Sequence, residues 1–234
     1  MSVLVDYAPL LLRGLGMTVL ITVLGAVVTV IVAFAAGIAR LSEHAWIRVP
    51  AGVFVEVFRG TSMLVQLFWF FFALPFLGIQ LAPLTAAVLV LGLNEGAYAS
   101  EVVRASIKSL PRGQTEAAIA CGMRPVQRMR RILVPQAIPT MLPPMGNVMV
   151  DLMKNTSLVS LITVLDLTFA AQQIRTTTGE TMAVFTTILI MYFALSLAIS
   201  AITAMLERRF SLDSSDLPKL KLTDVLARSK AVSQ

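Results

Sequence analysis

Between Leu15 and Ile38 the chain runs 24 residues without a charged side chain. As a helix rising 1.5 Å per residue, that stretch reaches about 36 Å, enough to cross a hydrocarbon core of roughly 30 Å with some tilt. Thr18, Thr22 and Thr29 fit such a span, because a hydroxyl can donate back to its own helix. A secretory leader has a shorter apolar core, a basic start and a small-residue cleavage site. Here Asp6 precedes the run and Arg13 is the only early base, so the segment is expected to stay in the membrane. Charged residues make up 14% of the 234-residue chain, against roughly a quarter in soluble domains. A disordered chain is excluded and an ordinary soluble globule disfavoured. One cysteine, Cys121, and one histidine, His44, exclude a disulfide framework, a cysteine-based zinc site and most histidine-based catalytic sets. Neither a catalytic nor a metal-ligating residue is expected.

Four further apolar blocks follow. The second runs from Gly60 to about Gly78 around Leu67-Phe68-Trp69-Phe70-Phe71-Phe72. The third begins near Pro83 and continues toward Val103, with Gly92-Leu93-Asn94-Glu95-Gly96 read as an interruption. The fourth spans Ala137 to Met153 and holds Pro139, Pro143, Pro144 and Gly146; the fifth is Thr181 to Met205. Leu158 to Leu165 is too short to cross and reads as a surface or re-entrant helix. The fold class expected is an all-α membrane protein with about five transmembrane helices.

An odd number of spans puts the termini on opposite sides. The loop expected after span one holds Arg40, Arg48 and Arg59, and the loop after span three holds Arg104, Lys108, Arg112, Arg124, Arg128, Arg130 and Arg131. Arg208, Arg209, Lys219, Lys221, Arg228 and Lys230 follow span five, leaving Arg13, Lys154 and Arg175 for the opposite side. Cytoplasmic loops collect Lys and Arg, so the N-terminus is expected outside and the C-terminus inside. The net charge of +6 is then a topology signal with some attraction to anionic lipid, and no nucleic-acid partner is expected.

The segment from Arg104 to Arg131 carries more structure than a tether needs. Leu110-Pro111-Arg112-Gly113-Gln114-Thr115 reads as a turn and a helix start, with Thr115 as N-cap and Glu116 at the positive end of the helix dipole. Glu116-Ala117-Ala118-Ile119-Ala120-Cys121-Gly122 is then a short helix closed by glycine. Its three alanines leave a low face that can sit close against another surface. Val126 to Val134 is basic and amphipathic. The stretch reads either as an interfacial helix on lipid head groups or as a small knob entering a cleft on a soluble partner.

Here an ordered series of motifs resembles the permeases of ABC importers. Glu116-Ala117-Ala118, Gly122 and Ile132-Leu133-Val134-Pro135 resemble their EAA loop, placed at about residues 104–135. Phe58-Arg59-Gly60-Thr61-Ser62-Met63-Leu64-Val65-Gln66 is similar to a segment of the polar amino acid and opine branch, apart from Ser62 in place of proline. Glu95-Gly96-Ala97-Tyr98, Glu101-Val102-Val103-Arg104, Leu142-Pro143-Pro144-Met145-Gly146-Asn147 and Lys154-Asn155-Thr156-Ser157-Leu158 match that branch too. Val134 stands where leucine is usual. The resemblance covers roughly Leu11 to Arg209 and implies a type I importer fold. It also implies two permease copies, identical or related, with two ATPase subunits inside and one solute-binding protein outside. Glu116, Ala117, Ala118, Gly122 and Pro135 are then the ATPase-coupling residues. The chain holds no Walker lysine loop, so ATP and Mg are expected on the partner and no cofactor on this chain.

Charged groups inside a bilayer usually mark a pathway or a pairing. Asn94, Glu95, Asp151, Lys154, Asn155, Thr156 and Ser157 are the candidate pathway residues, a carboxylate meeting an ammonium and Lys154 to Ser157 meeting a carboxylate. Glu101 and Arg104, three apart, are expected to pair within one helix. The domain organisation expected is an external segment 1–12, a permease domain 13–209 and a cytoplasmic tail 210–234 read as flexible. A gradient-driven transporter is disfavoured by the few spans and the lack of an inverted repeat. An intramembrane enzyme is disfavoured by the missing catalytic sets. The localisation expected is the bacterial cell membrane, multi-pass.

Overall fold

The structure is a computed structural model that describes residues 6–210. The tail expected from residue 210 onward lies outside the described residues, apart from Phe210. The first five residues of the expected external segment do too.

The elements are α1 (Ala8–Ala39), α2 (Ala45–Gly60), α3 (Met63–Phe68) and α4 (Pro83–Lys108), then α5 (Arg112–Ala120), α6 (Pro125–Arg128), α7 (Val134–Asn155), α8 (Leu167–Thr178) and α9 (Thr181–Phe210). Wide turns at Trp69–Ala73 and Met129–Leu133 extend α3 and join α6 to α7, and tight helical turns occupy Leu74–Leu77 and Thr156–Ile162. By length and composition α1, α4 and α9 can each cross a membrane. Counting each bent pair as one span brings the total to five: α2 with Met63–Leu77, bent by 103°, and Pro125–Ile162 with α8, bent by 51°.

Several local expectations need correction. Span three is not interrupted: α4 runs unbroken through Asn94-Glu95-Gly96. Its glycines serve packing. A Cβ on Gly92 would lie 2.5 Å from Cβ of Val28, and one on Gly96 2.6 Å from Cβ of Val32. Bare backbone at both positions lets α1 and α4 close on each other, as small-residue stripes do in membrane bundles, and the Thr29 hydroxyl donates to the Gly92 carbonyl at 3.4 Å. The segment after span one, with Arg48 and Arg59, is the amphipathic helix α2 rather than a loop. Span four is one helix as expected, α7 running through Pro139, Pro143 and Pro144. Of the two readings of Leu158 to Leu165 the surface helix is excluded, because Val159 and Ile162 are fully buried in the main core with Ile21, Val90 and Leu152, while the 51° bend that follows remains compatible with a re-entrant segment.

The α2–α3 bend is bonded to α4. Thr61 and Ser62 are extended and end α2, which leaves its last carbonyls without helical partners. Gln66 donates to the Phe58 carbonyl at 2.9 Å and to the Thr61 hydroxyl at 2.6 Å. Asn94 donates to the same Phe58 carbonyl at 2.9 Å and to the Gln66 side-chain oxygen at 3.0 Å. Ser62 keeps φ at −67°, the value a proline would impose, so its substitution leaves this backbone intact. At the other break, buried Asp166 caps α8 by accepting from the backbone N–H groups of Thr168 and Phe169, while Tyr192 of α9 donates to it at 3.3 Å.

Candidate functional site

A cleft of about 480 Å³ opens between the α2–α3 bend, α4 and the C-terminal half of α7. Asn94 and Glu95 face it from α4, Asp151, Lys154 and Asn155 from α7, and Thr61, Ser62 and Met63 from the bend. Five of the seven candidate pathway residues therefore meet in one place. Asp151 and Asn155 come together because residues four apart share a helix face. Glu95 is 5% exposed, and one of its oxygens accepts from the Asn155 amide at 2.8 Å, which ties α4 to α7. Asp151 and Lys154 pair at 3.7 Å with both side chains largely exposed. The cleft thus presents two carboxylates, one ammonium and several hydroxyl and amide groups, a set able to hold both ends of a zwitterion.

Two candidates fall elsewhere. Thr156 is buried, its hydroxyl bonded to the Met153 carbonyl at 2.7 Å, and Ser157 does not line the cleft. Residues missed in the sequence are Thr61, Ser62, Met63, Tyr98 and Val148. Tyr98 had a signal, standing one helical turn after Asn94 and Glu95. Its hydroxyl donates to the Arg59 carbonyl at 3.3 Å, and the Arg59 guanidinium lies over its ring at 5.2 Å.

Below the cleft, Glu101 of α4 is an ionic hub. Arg104 donates to it through Nε at 2.8 Å, as the spacing predicts, and Arg40 at the end of α1 and Arg59 of α2 converge on its other oxygen. Three helix ends are thereby tied together just before the chain leaves α4 for the putting-out of α5.

The segment expected to couple to an ATPase is largely exposed. α5 begins at Arg112, so Thr115 lies inside the helix rather than capping it. Its end is as the sequence predicts: Gly122 takes φ +71°, and Met123 and Gly122 donate to the carbonyls of Ala118 and Ile119 at 3.1 and 2.8 Å. That double bond is the Schellman arrangement, which a left-handed glycine permits. Ala118 is buried, while Glu116, Ala117, Ala120, Cys121, Gly122 and Pro135 are exposed. Ile119 is 56% and Val126 78% exposed. The base is anchored where Leu110, Met129 and Val134 pack around buried Ile107 and Leu133.

A helical bundle with membrane-length helices, a zwitterionic cleft and an exposed helical stub defines a membrane transport subunit. The chain belongs to the family of binding-protein-dependent transport system inner membrane components, whose profile matches residues 29–212. It is similar to a probable amino-acid ABC transporter permease of Sinorhizobium fredii, 42% identical over 208 residues, 86% of this chain and 87% of that one. It is also similar to the glutamine transport system permease of Escherichia coli, 36% identical over 207 residues, 87% of this chain and 94% of that one. A solved structure of an amino acid ABC transporter with histidines superposes with a TM-score of 0.80 and 34% identity, covering 88% of this chain and 96% of the other. The fold is that of a type I ABC importer permease. The chain is a transport component rather than an enzyme, with ATP hydrolysis carried by a separate subunit in such systems.

Proposed function

We propose that this permease forms the import pathway for a polar amino acid or a related small zwitterion, opine- or ectoine-like, and that the cleft is a station on that pathway. The observation that carries this reading is the convergence of Glu95, Asp151, Lys154 and Asn155 from two helices on one cleft. The named transport of amino acids by the relatives supports the class. Sites of this kind exploit groups that would be costly in lipid unless a pathway or a partner uses them.

The α5 stub docks a separate ATPase in this account. Glu116 meets a basic group there, Ala117 and Gly122 allow close approach while Ala118, buried, seats the stub on its own chain, and Pro135 marks the start of the helix that carries the motion upward. Two ATPase copies hold ATP and Mg, a second permease copy or a sibling completes the bundle, and an extracytoplasmic solute-binding protein delivers the solute. The permease domain covers residues 13–209 with the coupling loop at about 104–135. The loop faces the cytoplasm of a bacterial cell, the N-terminus lies outside, and lipid surrounds the rest. Transport is a rigid-body rocking of helices between two states.

Uptake in proteoliposomes tests the reading. Labelled amino acid should accumulate only with ATP, the ATPase and the binding protein. Accumulation driven by a proton or sodium gradient without nucleotide would overturn it.

A further inference from the structure

A second hollow, of about 280 Å³, opens on the other side of the bundle between α1, α7 and α9. Val30 and Phe34 line it from α1, Leu142 and Met145 from α7, and Leu206 from α9. Its one hydroxyl, on Thr203, is already spent on the Ile199 carbonyl of its own helix at 3.0 Å. Within the lining, Gly146 lets Thr203 come into direct contact with α7. From there the two helices run in opposite directions: Thr203 to Leu206 heads for the end of α9, and Gly146 through Leu142 to Ile138 heads for the start of α7. Through Phe34, Ile138 and Leu206 the lining therefore reaches toward the end of the bundle from which the segment 104–135 projects.

Cations cluster at that end. Arg209 stands three residues beyond Leu206, on the same face of α9. Arg130 and Arg131 lie in the helical run that feeds α7, about two turns before Ile138. All three are exposed, and among the described residues none is in an ion pair. An apolar trough that ends in unpaired guanidinium groups matches one kind of molecule, a flexible hydrocarbon chain with an anionic head. Arginine forks bind a phosphate through paired, charge-assisted hydrogen bonds.

We infer that this hollow is a binding site for an anionic diacyl phospholipid of the leaflet next to the coupling loop, one acyl chain in the trough and the phosphate at Arg130, Arg131 and Arg209. A protein helix in the trough would leave the three cations without counter-charge, and a zwitterionic lipid would cancel the attraction that sets this end apart.

The test uses the assembled transporter, permease with ATPase, in nanodiscs of phosphatidylglycerol and phosphatidylcholine. Native mass spectrometry of the released complex should show phosphatidylglycerol retained in preference to phosphatidylcholine. An Arg130→Gln, Arg131→Gln, Arg209→Gln variant should lose about tenfold or more of that preference. Leu142→Trp, which fills the trough and leaves the arginines in place, should lose the retained lipid while eluting as the same assembly. Equal retention of both lipids by the unaltered complex, or a preference untouched by both variants, would overturn the site. So would a Leu142→Cys chain that forms a disulfide with a cysteine of a second permease copy, since a protein would then occupy the trough. Retention is read without transport, so its failure is distinct from failure of the amino-acid assignment.

Discussion

The cleft and the coupling stub both depart from the apolar rule of the surrounding helices, and in opposite directions. In the cleft, polar groups face inward and are bonded within the chain, as Glu95 to Asn155 and Asn94 to Gln66 and Phe58. In the stub, apolar and small groups face outward, with Ala117, Ile119, Ala120 and Val126 uncovered. A buried polar group must find its partner inside the protein, whereas an exposed apolar patch looks for one outside. The buried polar groups of the cleft find their partners within the single chain. The exposed apolar groups of the stub do not.

Substitutions can break that contrast at either end. The largest effect is expected where small size matters and the chain's own packing does not. Ala117→Trp with Ala120→Trp places bulk only on exposed positions, and should cut ATP-driven uptake by roughly thirtyfold or more by blocking close approach, with ATPase co-purification lost and the thermal midpoint of the permease unchanged. In the cleft, Asn155→Ala removes the donor to Glu95 and should lower uptake by about tenfold, with ATPase binding intact. Gly92→Leu drives a side chain into Val28 and should destabilise the bundle by about 1–3 kcal/mol through overpacking, read as a lower thermal midpoint in detergent. Glu101→Gln leaves Arg40 and Arg104 with a neutral partner in a half-buried hub, and a loss of about 1–2 kcal/mol is expected, seen as earlier unfolding with no change at the stub. The smallest effect is kinetic. Exposed Cys121 should react more slowly with a maleimide once ATPase is added, and an unchanged rate would mean the stub is not covered.

The main spans were legible because long uncharged runs have few other fates, and α1 follows the run from Leu15 to Ile38 closely. The reading faltered where one residue pattern serves two purposes. Gly92 and Gly96 looked like an interruption because sequence alone does not show Val28 and Val32 pressing against them. The segment with Arg48, Pro50, Glu56 and Arg59 looked like a loop because its charges hide an amphipathic helix that buries little besides Val55. Thr115 looked like a cap because Thr before Glu is a common helix start, yet Pro111, four residues earlier, is where the helix is capped. In the cleft, Glu95, Asp151 and Asn155 were visible as polar residues out of place in apolar helices. Thr61 and Ser62 were not, since neither is unusual until the α2–α3 bend brings them beside α4, whereas Tyr98, one turn after Asn94 and Glu95, could have been found. Gly122 was readable because a left-handed C-terminal residue has a strong chemical preference.

The division of labour between the two regions is tested most directly by one paired measurement on two variant complexes. The complex carrying Ala117→Trp and Ala120→Trp, and the complex carrying Asn155→Ala, are each assayed for bound ATPase and for ATP-driven amino-acid uptake in proteoliposomes. The account predicts that the first loses both and the second keeps its ATPase while uptake falls. Full nucleotide-powered uptake by the first complex would contradict it.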